Sequence, residues 1–398
     1  MLPRNVYILS HSRTPIGSFL SALAPVTASQ LGSVAIEGAV SAARIDKADV
    51  DLGIMGQVVS AGCGQAPARQ AILGASLPAS TDVFSVNKVC SSGMKSICLG
   101  ASSIVLGESK CVVAGGMESM SNIPHVLRKG RLGGQRLGPI SMDDLAVTDG
   151  LWDVYNNIHM GRCAEKTAKE FNVSREAQDQ FALESYRRAN EAWSTGRIVE
   201  EISPVQVPKD KKSYHIVDKD EEPSNLRIEK VASLKSAFMD NGTITPANAS
   251  KLNDGASAVV LGSEEFVKSN NLKPIARIVS FADFSQDPID FSIAPRGAIE
   301  LALRRANLNV RDIDYWEINE AFSSVPIVNA GLLKIDLSRV NVDGGAVAIG
   351  HPIGASGSRI VGTLSRILKQ RNGRFGCAAI CNGGGGSTAI IIENMTSR

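Results

Sequence analysis

Two stretches of this chain echo each other. From Cys90 it reads CSSGMKSICLGASSIVLGESKCVVAGG, and from Gly354 it reads GASGSRIVGTLSRILKQRNGRFGCAAICNGG. With Gly93 set against Gly357, Ser92 and Lys95 answer Ser356 and Arg359. Each copy opens on a turn of small residues and continues as a run with helical apolar spacing. Each then passes a polar turn and ends as an apolar strand finishing in glycines. The length and order of the match point to a duplicated α/β unit. Such a duplication predicts a pseudo-twofold axis on which Cys90 and the loops of the second half converge. The rest of the chain has the same alternation, with VYIL and DLGIMG as strands and LGSVAIEGAVSAARI and PARQAILGAS as helices. The fold class is therefore α/β.

Between the copies lies different material, and we read 121–249 as an insertion. RKGRLGGQRLGP (128–139) is basic, glycine-rich and aperiodic, which predicts a loop. SREAQDQFALESYRRANEAWSTG predicts a helix with Ser174 as N-cap and Glu176 or Gln178 in its first turn. Residues 207–230 hold 12 charged residues in 24, the pattern of a solvated face.

A net charge of +2 gives no bias toward nucleic acid or an anionic membrane, so neither is an expected partner. No apolar run approaches the ~20 residues of a membrane span. Seven cysteines without a CxxC pair or zinc spacing imply free thiols in a reducing compartment. MLPRNVYILS has no signal-peptide pattern, so the cytoplasm is the expected location. A mature mitochondrial form whose presequence has been removed is the alternative.

Cys90 falls between the strand-like TDVFSV and the helix that follows. Free N–H groups and the positive dipole end at a helix start favour a thiolate. The bland alternative is a small buried residue in a tight turn. Asn319 follows the strand-like DYWEI and has two readings, helix cap or functional amide. His351 stands between Gly350 and Pro352, as a loop residue or as a base. Cys381 ends a strand and precedes four glycines, which form a tight turn or an anion cradle. No P-loop lysine follows them, which disfavours a nucleotide site. Taken together, the four stretches supply a nucleophile, a base, oxyanion donors and a second thiol for a second proton transfer.

The motifs VNKVCSSGMKS, VAGGMESMSN, NEAF, GGAVAIGHPIGASGSRI and CNGGGG resemble those of the thiolase family, specifically its short-chain acetyl-CoA acetyltransferases of mitochondrial type. The resemblance runs through nearly the whole chain. It implies two αβα halves in a five-layered core: 1–120 with 250–275, then 276–398, with a loop domain at 121–249. It also implies dimers that pair into tetramers through 124–140. The implied reaction is reversible condensation of two acetyl-CoA to acetoacetyl-CoA and CoA, with no cofactor required. Cys90 would be the acylated nucleophile, and His351 its activator and part of a first oxyanion hole. Asn319 would hold a water there. Cys381 would be the acid/base, and the N–H groups of Cys90 and Gly383 a second oxyanion hole.

By the same resemblance His159, Met160 and Leu151 restrict the acyl chain. Ala237, Phe238, Ala247 and Ser250 form a pantetheine wall, with Ala321 and Phe322 opposite. A potassium ion would be held by the Tyr186 hydroxyl and the carbonyls of Pro246, Ala247, Ala249 and Val347. Several positions depart from the pattern. Ser236 stands where many relatives have proline, and Lys251 where many have glycine. Pro223 lies near the place where some use arginine against the nucleotide, and Ser292 replaces the proline of a Phe-Pro pair. Two alternatives are a β-ketoacyl synthase-like condensing enzyme, which would lack Cys381, and a non-catalytic CoA- or lipid-binding relative, which would have lost one of Cys90, His351 or Cys381.

Overall fold

In the computed structural model residues 2–134, 137–210 and 213–396 are described. Gln135 and Arg136 of the loop expected at 128–139, Lys211 and Lys212 of the charged run, and the chain ends Met1, Ser397 and Arg398 lie outside them.

The first half runs β1 (Val6–Arg13), α1 (Ala28–Ala43), β2 (Leu52–Gly56), α2 (Pro67–Gly74), β3 (Asp82–Val86), α3 (Ser92–Leu106) and β4 (Cys111–Ser119). The chain then leaves the sheet, forms helices α4 (Met160–Glu170) and α5 (Arg175–Ser194) with short hairpins, and returns as β5 (Asn253–Ser263). The second half runs β6 (Ala276–Ser285), α6 (Ala294–Ala306), β7 (Tyr315–Ile318), α7 (Ser324–Leu333), α8 (Ser356–Gln370), β8 (Phe375–Asn382) and β9 (Gly386–Asn394).

The strands form one mixed sheet in the order β7-β8-β9-β6-β1-β5-β4-β2-β3, with the short strand Gly17–Ser18 added to β5. The halves join where β1 runs antiparallel to β6, with Val6 opposite Ile278. Within the halves β2 pairs in parallel with β3 and β4, and β7 with β8. Strand β4, CVVAGGMES, is buried along its whole length, as a strand covered on both faces must be.

Three apolar clusters define the layers. One joins α1 and α2 to the outer face of the first half's sheet, through Leu31, Ile36, Ile72, Val113 and Val260. A second joins α6 and α7 to the second half's sheet, through Ile299, Leu303, Val325, Cys377 and Ile391. The third lies between them, where Met94, Ile97, Ile360 and Leu364 of α3 and α8 meet Ala114, Leu261, Ile278 and Ile390. With the two halves of the continuous sheet counted separately, the layering is helix, sheet, helix, sheet, helix. Segment Val89–Leu106 is long and apolar enough to cross a membrane by length and composition. In the fold it is α3, which packs in the central layer.

The duplicated units touch at the glycines on which they align. A methyl on Gly93 would stand 2.8 Å from the Gly354 carbonyl and 2.9 Å from the Ser358 nitrogen. One on Gly357 would stand 2.4 Å from the Met94 nitrogen. The N-terminal turns of α3 and α8 therefore cross backbone to backbone, which draws Cys90 and His351 toward one place.

The solvated-face expectation fails at part of 207–230. Asp220 and Glu222 are buried. The Arg13 guanidinium donates to Asp220 Oδ1 at 2.7 Å and to Glu201 Oε1 at 2.7 Å, all three groups being buried. Burial of a charge demands such partners, and Arg13 comes from the first strand, far away in sequence.

Candidate active site

Cys90 sits one residue before Ser91, the N-cap of α3. The residue preceding it, Val89, has φ +48°, a strained value for a β-branched side chain. Hydrogen bonds hold that turn. Val89 N–H donates to Asn87 Oδ1 at 3.0 Å, and Ser92 Oγ donates to the Val89 carbonyl at 2.6 Å. Backbone strain held by its surroundings marks sites where a side chain must be aimed.

Cys90 opens onto a cavity of about 590 Å³. His351, Gly383, His159, Met160, Leu151, Ala237, Phe238, Pro246, Ala249, Ser250, Ala321 and Phe322 line it too. Cys381 is buried close to Cys90, in one apolar cluster with Met160, Phe291, Ala321 and Phe322, and Asn319 is buried one residue before Glu320 and two before the lining residue Ala321. Ala247, Tyr186 and Val347 are buried off its surface. The lining is mostly apolar, so charges inside it are costly.

Burial dominates the thiols. It pushes Cys90 up to about 12, against the N–H groups of Gly383 and of Cys90 itself, which pull the sulfur down. The thiolate expected from the helix N-terminus therefore does not form at rest, because desolvation exceeds the dipole. Cys381 is pushed above the ordinary thiol range by burial and then by the charge of Cys90. Burial and the nearby Arg359 charge hold His351 down to about 3, so the ring is neutral.

The orientation of that ring follows from its partners. His351 Nδ1 lies 2.6 Å from Ser356 Oγ, and Ser356 Oγ donates to the Pro352 carbonyl at 3.0 Å. The arrangement that satisfies both bonds puts the proton on Nδ1 and leaves a lone pair on Nε2. Nε2 is buried and has no protein partner among the described residues. Asn319 Oδ1 and Nδ2 are likewise buried, with no partner among the described residues. Asn319 is not a helix cap, since Ser323 takes that place for α7.

His159 caps α4, its Nδ1 accepting from Gly161 N–H at 3.0 Å. Its ring stacks on Phe238 with centroids 4.8 Å apart. Gly161 is required there, because a methyl would stand 2.3 Å from the Phe238 ring. Phe238 and Phe291 both meet Phe322 edge to face. These rings narrow the cavity near Cys381. Ser250 donates to the Ala321 carbonyl from N at 3.1 Å and from Oγ at 2.9 Å, tying two walls together.

The positions expected to hold potassium are already engaged. Lys251 Nζ donates to Tyr186 Oη at 2.5 Å and to the Val347 carbonyl at 2.8 Å. These residues do not fit a resident potassium ion, since an ammonium occupies two of the five proposed ligands. Burial lowers Lys251 to about 8, with Glu222 and Glu320 acting to raise it.

Sequence reasoning missed several residues. Met120, Glu222, Asn225 and Ile353 also line the cavity, and Ser356 sets the histidine tautomer. Only Ser356 had a local signal, the small polar residue five places after His351. Lys251 appeared as a departure without a role.

The chain matches the family description "Thiolase, N-terminal domain" over residues 6–265 and "Thiolase, C-terminal domain" over 272–394. It is 51% identical over 392 residues to the Rattus norvegicus protein "Acetyl-CoA acetyltransferase, mitochondrial", covering 98% of this chain and 91% of that one. The Homo sapiens protein of the same name is 49% identical over 393 residues, with the same coverage. Among solved structures, the Acat5 thiolase from Ascaris suum in complex with coenzyme A superposes with a TM-score of 0.93 at 44% identity, over 98% of this chain and 100% of that one. The Bacillus anthracis acetyl-CoA acetyltransferase gives 0.95 at 38%, over 98% and 99%. Matches to both domains and near end-to-end likeness to these proteins agree with one another: the chain belongs to the thiolase family.

Proposed function

We propose that the protein is an acetyl-CoA C-acetyltransferase, condensing two acetyl-CoA to acetoacetyl-CoA and CoA and catalysing the reverse cleavage. One observation carries the reading: two thiols, half-buried Cys90 on the wall of an apolar cavity and buried Cys381 close to it, share that wall with a neutral histidine whose Nε2 has no protein partner among the described residues.

In the first half-reaction Cys90 Sγ attacks the acetyl-CoA carbonyl while His351 Nε2 takes its proton. The C–S bond to CoA breaks, and Cys381 gives a proton to the leaving sulfur. In the second half-reaction the Cys381 thiolate removes the α-proton of another acetyl-CoA. His351 and a water held by Asn319 stabilise the resulting enolate oxygen. The carbanion carbon attacks the acetyl group on Cys90, and acetoacetyl-CoA departs as the Cys90–carbon bond breaks and His351 returns its proton to the Cys90 sulfur. The N–H groups of Cys90 and Gly383 hold the oxyanion on the acetyl carbon. Each well-placed donor contributes about 3 kcal/mol to such a step.

A β-ketoacyl synthase pairs its cysteine with two histidines, or with a histidine and an asparagine, and lacks a second catalytic cysteine, so Cys381 close to Cys90 speaks against that reading. Among the described residues His159 is the other cavity histidine, and its capping bond and stacked ring make it a wall. Retention of Cys90, His351 and Cys381 speaks against a non-catalytic relative. His159, Met160, Leu151, Ala237, Phe238, Ala247, Ser250, Ala321 and Phe322 take the acyl chain and pantetheine in this reading.

We read the chain as two thiolase halves, 1–120 with 250–275 and 276–398, with the loop domain 121–249 over the site. Its relatives' named compartment favours the mitochondrial matrix over the cytoplasm. A homotetramer is the proposed assembly. Its support is the exposed edge strand β3 with Phe84 outward, and the exposed Leu132, Ile140 and Met142 in the region 124–140 or just beyond it. Light scattering on the purified protein tests the assembly. Loss of acetoacetyl-CoA absorbance on adding CoA tests the activity. No CoA-dependent cleavage by folded protein would refute it.

A further inference from the structure

Two segments accept hydrogen bonds from the Lys251 ammonium, and two more bring carboxyl groups near enough to act on its charge. Tyr186 comes from α5, Val347 from the turn Ala346–Ile349 shortly before His351, and Glu222 and Glu320 from two further loops. Tyr186 is 3% exposed, and burial pushes its hydroxyl above the ordinary tyrosine range, so it is a neutral acceptor. Glu222 and Glu320 are both buried and act electrostatically on Tyr186 and Lys251 alike. Glu320 is fixed by Ser185 Oγ, Asn341 Nδ2 and the Val347 N–H, at 2.8, 2.8 and 3.0 Å. Glu222 accepts from Asn253 Nδ2 at 3.1 Å. This is a buried spot of negative potential whose neutral oxygens face inward, the environment in which a single positive charge is stabilised.

Lys251 follows directly on Ser250, whose two bonds to the Ala321 carbonyl tie the pantetheine wall together. We propose that Lys251 is a built-in replacement for a bound monovalent cation. Its ammonium fastens the Ser250 wall to α5 and to the turn that leads into His351. Lys251 is a positioning residue, acting on the CoA site through Ser250. A second cation a few ångströms away would meet a like charge, a repulsion that lowers its affinity by roughly a thousandfold. The chain should therefore be indifferent to potassium, in contrast to what its family resemblance implies.

The idea rests on the acetyl-CoA reading for its kinetic readout and not for its thermal one. Wild type, Lys251→Ala and Tyr186→Phe/Lys251→Ala are compared in chlorides of potassium, sodium and tetramethylammonium at equal ionic strength. Melting temperature, CoA affinity by calorimetry, and KM and kcat for thiolysis are read. Wild type should give the same values in all three salts. In tetramethylammonium, Lys251→Ala should melt lower and bind CoA weaker by roughly tenfold or more, with kcat changed far less. Potassium should restore melting and affinity in Lys251→Ala, and removing the Tyr186 hydroxyl should abolish that rescue. Potassium activation or stabilisation of wild type overturns the proposal. So does a Lys251→Ala protein with wild-type CoA affinity in tetramethylammonium, or one that no cation rescues. If Lys251→Ala does not fold, the wild-type response decides alone. A folded protein that lacks thiolysis activity but shows the predicted melting pattern separates failure of the acetyl-CoA reading from failure of this one.

Discussion

Ser356 Oγ lies 2.6 Å from His351 Nδ1 and donates its own hydrogen bond to the Pro352 carbonyl, leaving His351 Nε2 as a lone-pair acceptor with no partner among the described residues. A base buried this deeply stays neutral, and only its tautomer needs fixing. Ser356→Ala should lower kcat by roughly tenfold, part of the roughly 10²–10⁴ that a positioned base contributes in full, and leave KM for CoA nearly unchanged. An unaltered kcat would show that the ring is oriented by packing alone.

The thiol state predicts a pH profile. Cys90 is pushed up to about 12 and His351 down to about 3, so the resting pair is neutral on both sides. A raised thiol pKa means that the thiolate fraction grows with pH through the whole alkaline range. Iodoacetamide modification of Cys90, followed by mass spectrometry, should keep rising past pH 9. A plateau near neutral pH would mean a stable thiolate–imidazolium pair instead.

In the proposed function His159 and Met160 limit substrate length, and Phe238 supports them, held between the His159 ring and Phe322. Acetoacetyl-CoA should be cleaved, and 3-ketohexadecanoyl-CoA should not. Phe238→Ala should raise kcat/KM for 3-ketohexanoyl-CoA relative to acetoacetyl-CoA, read by the same absorbance assay. An unchanged ratio would assign the limit to other residues.

Asp220→Ala should destabilise the fold by roughly 3 kcal/mol, because it leaves Arg13 buried with one carboxylate fewer. Urea unfolding measures this. A loss below about 1 kcal/mol, the worth of a surface pair, would show that water reaches the guanidinium.

Much of this arrangement was legible in the sequence because it is local or repeated. The echo aligned on Gly93 and Gly357 became the backbone crossing of α3 and α8, and Ser174 caps α5 as its spacing predicts. Cys90, His351, Cys381 and Asn319 could be picked out from turns between recognisable elements. What stayed hidden depends on partners far away in sequence. Asp220 and Glu222 sit in a run that reads as solvated, yet Arg13 and Asn253 draw them inside. The thiolate expectation failed because a dipole argument uses the helix alone, whereas burial depends on the walls around it. Lys251 could not be assigned a role until Tyr186 and Val347 were seen to face it.

The central claim is that an acetyl group passes through Cys90. The direct test incubates wild type, Cys381→Ala and Cys90→Ser with acetyl-CoA, quenches each, and maps the acetyl group by peptide mass spectrometry alongside the condensation rate. Cys381→Ala should carry acetyl on the Cys90 peptide while condensing orders of magnitude more slowly, and Cys90→Ser should carry none and be inactive in both directions. Acetyl on another residue, or a Cys90→Ser enzyme that keeps more than a small fraction of activity, would contradict the account.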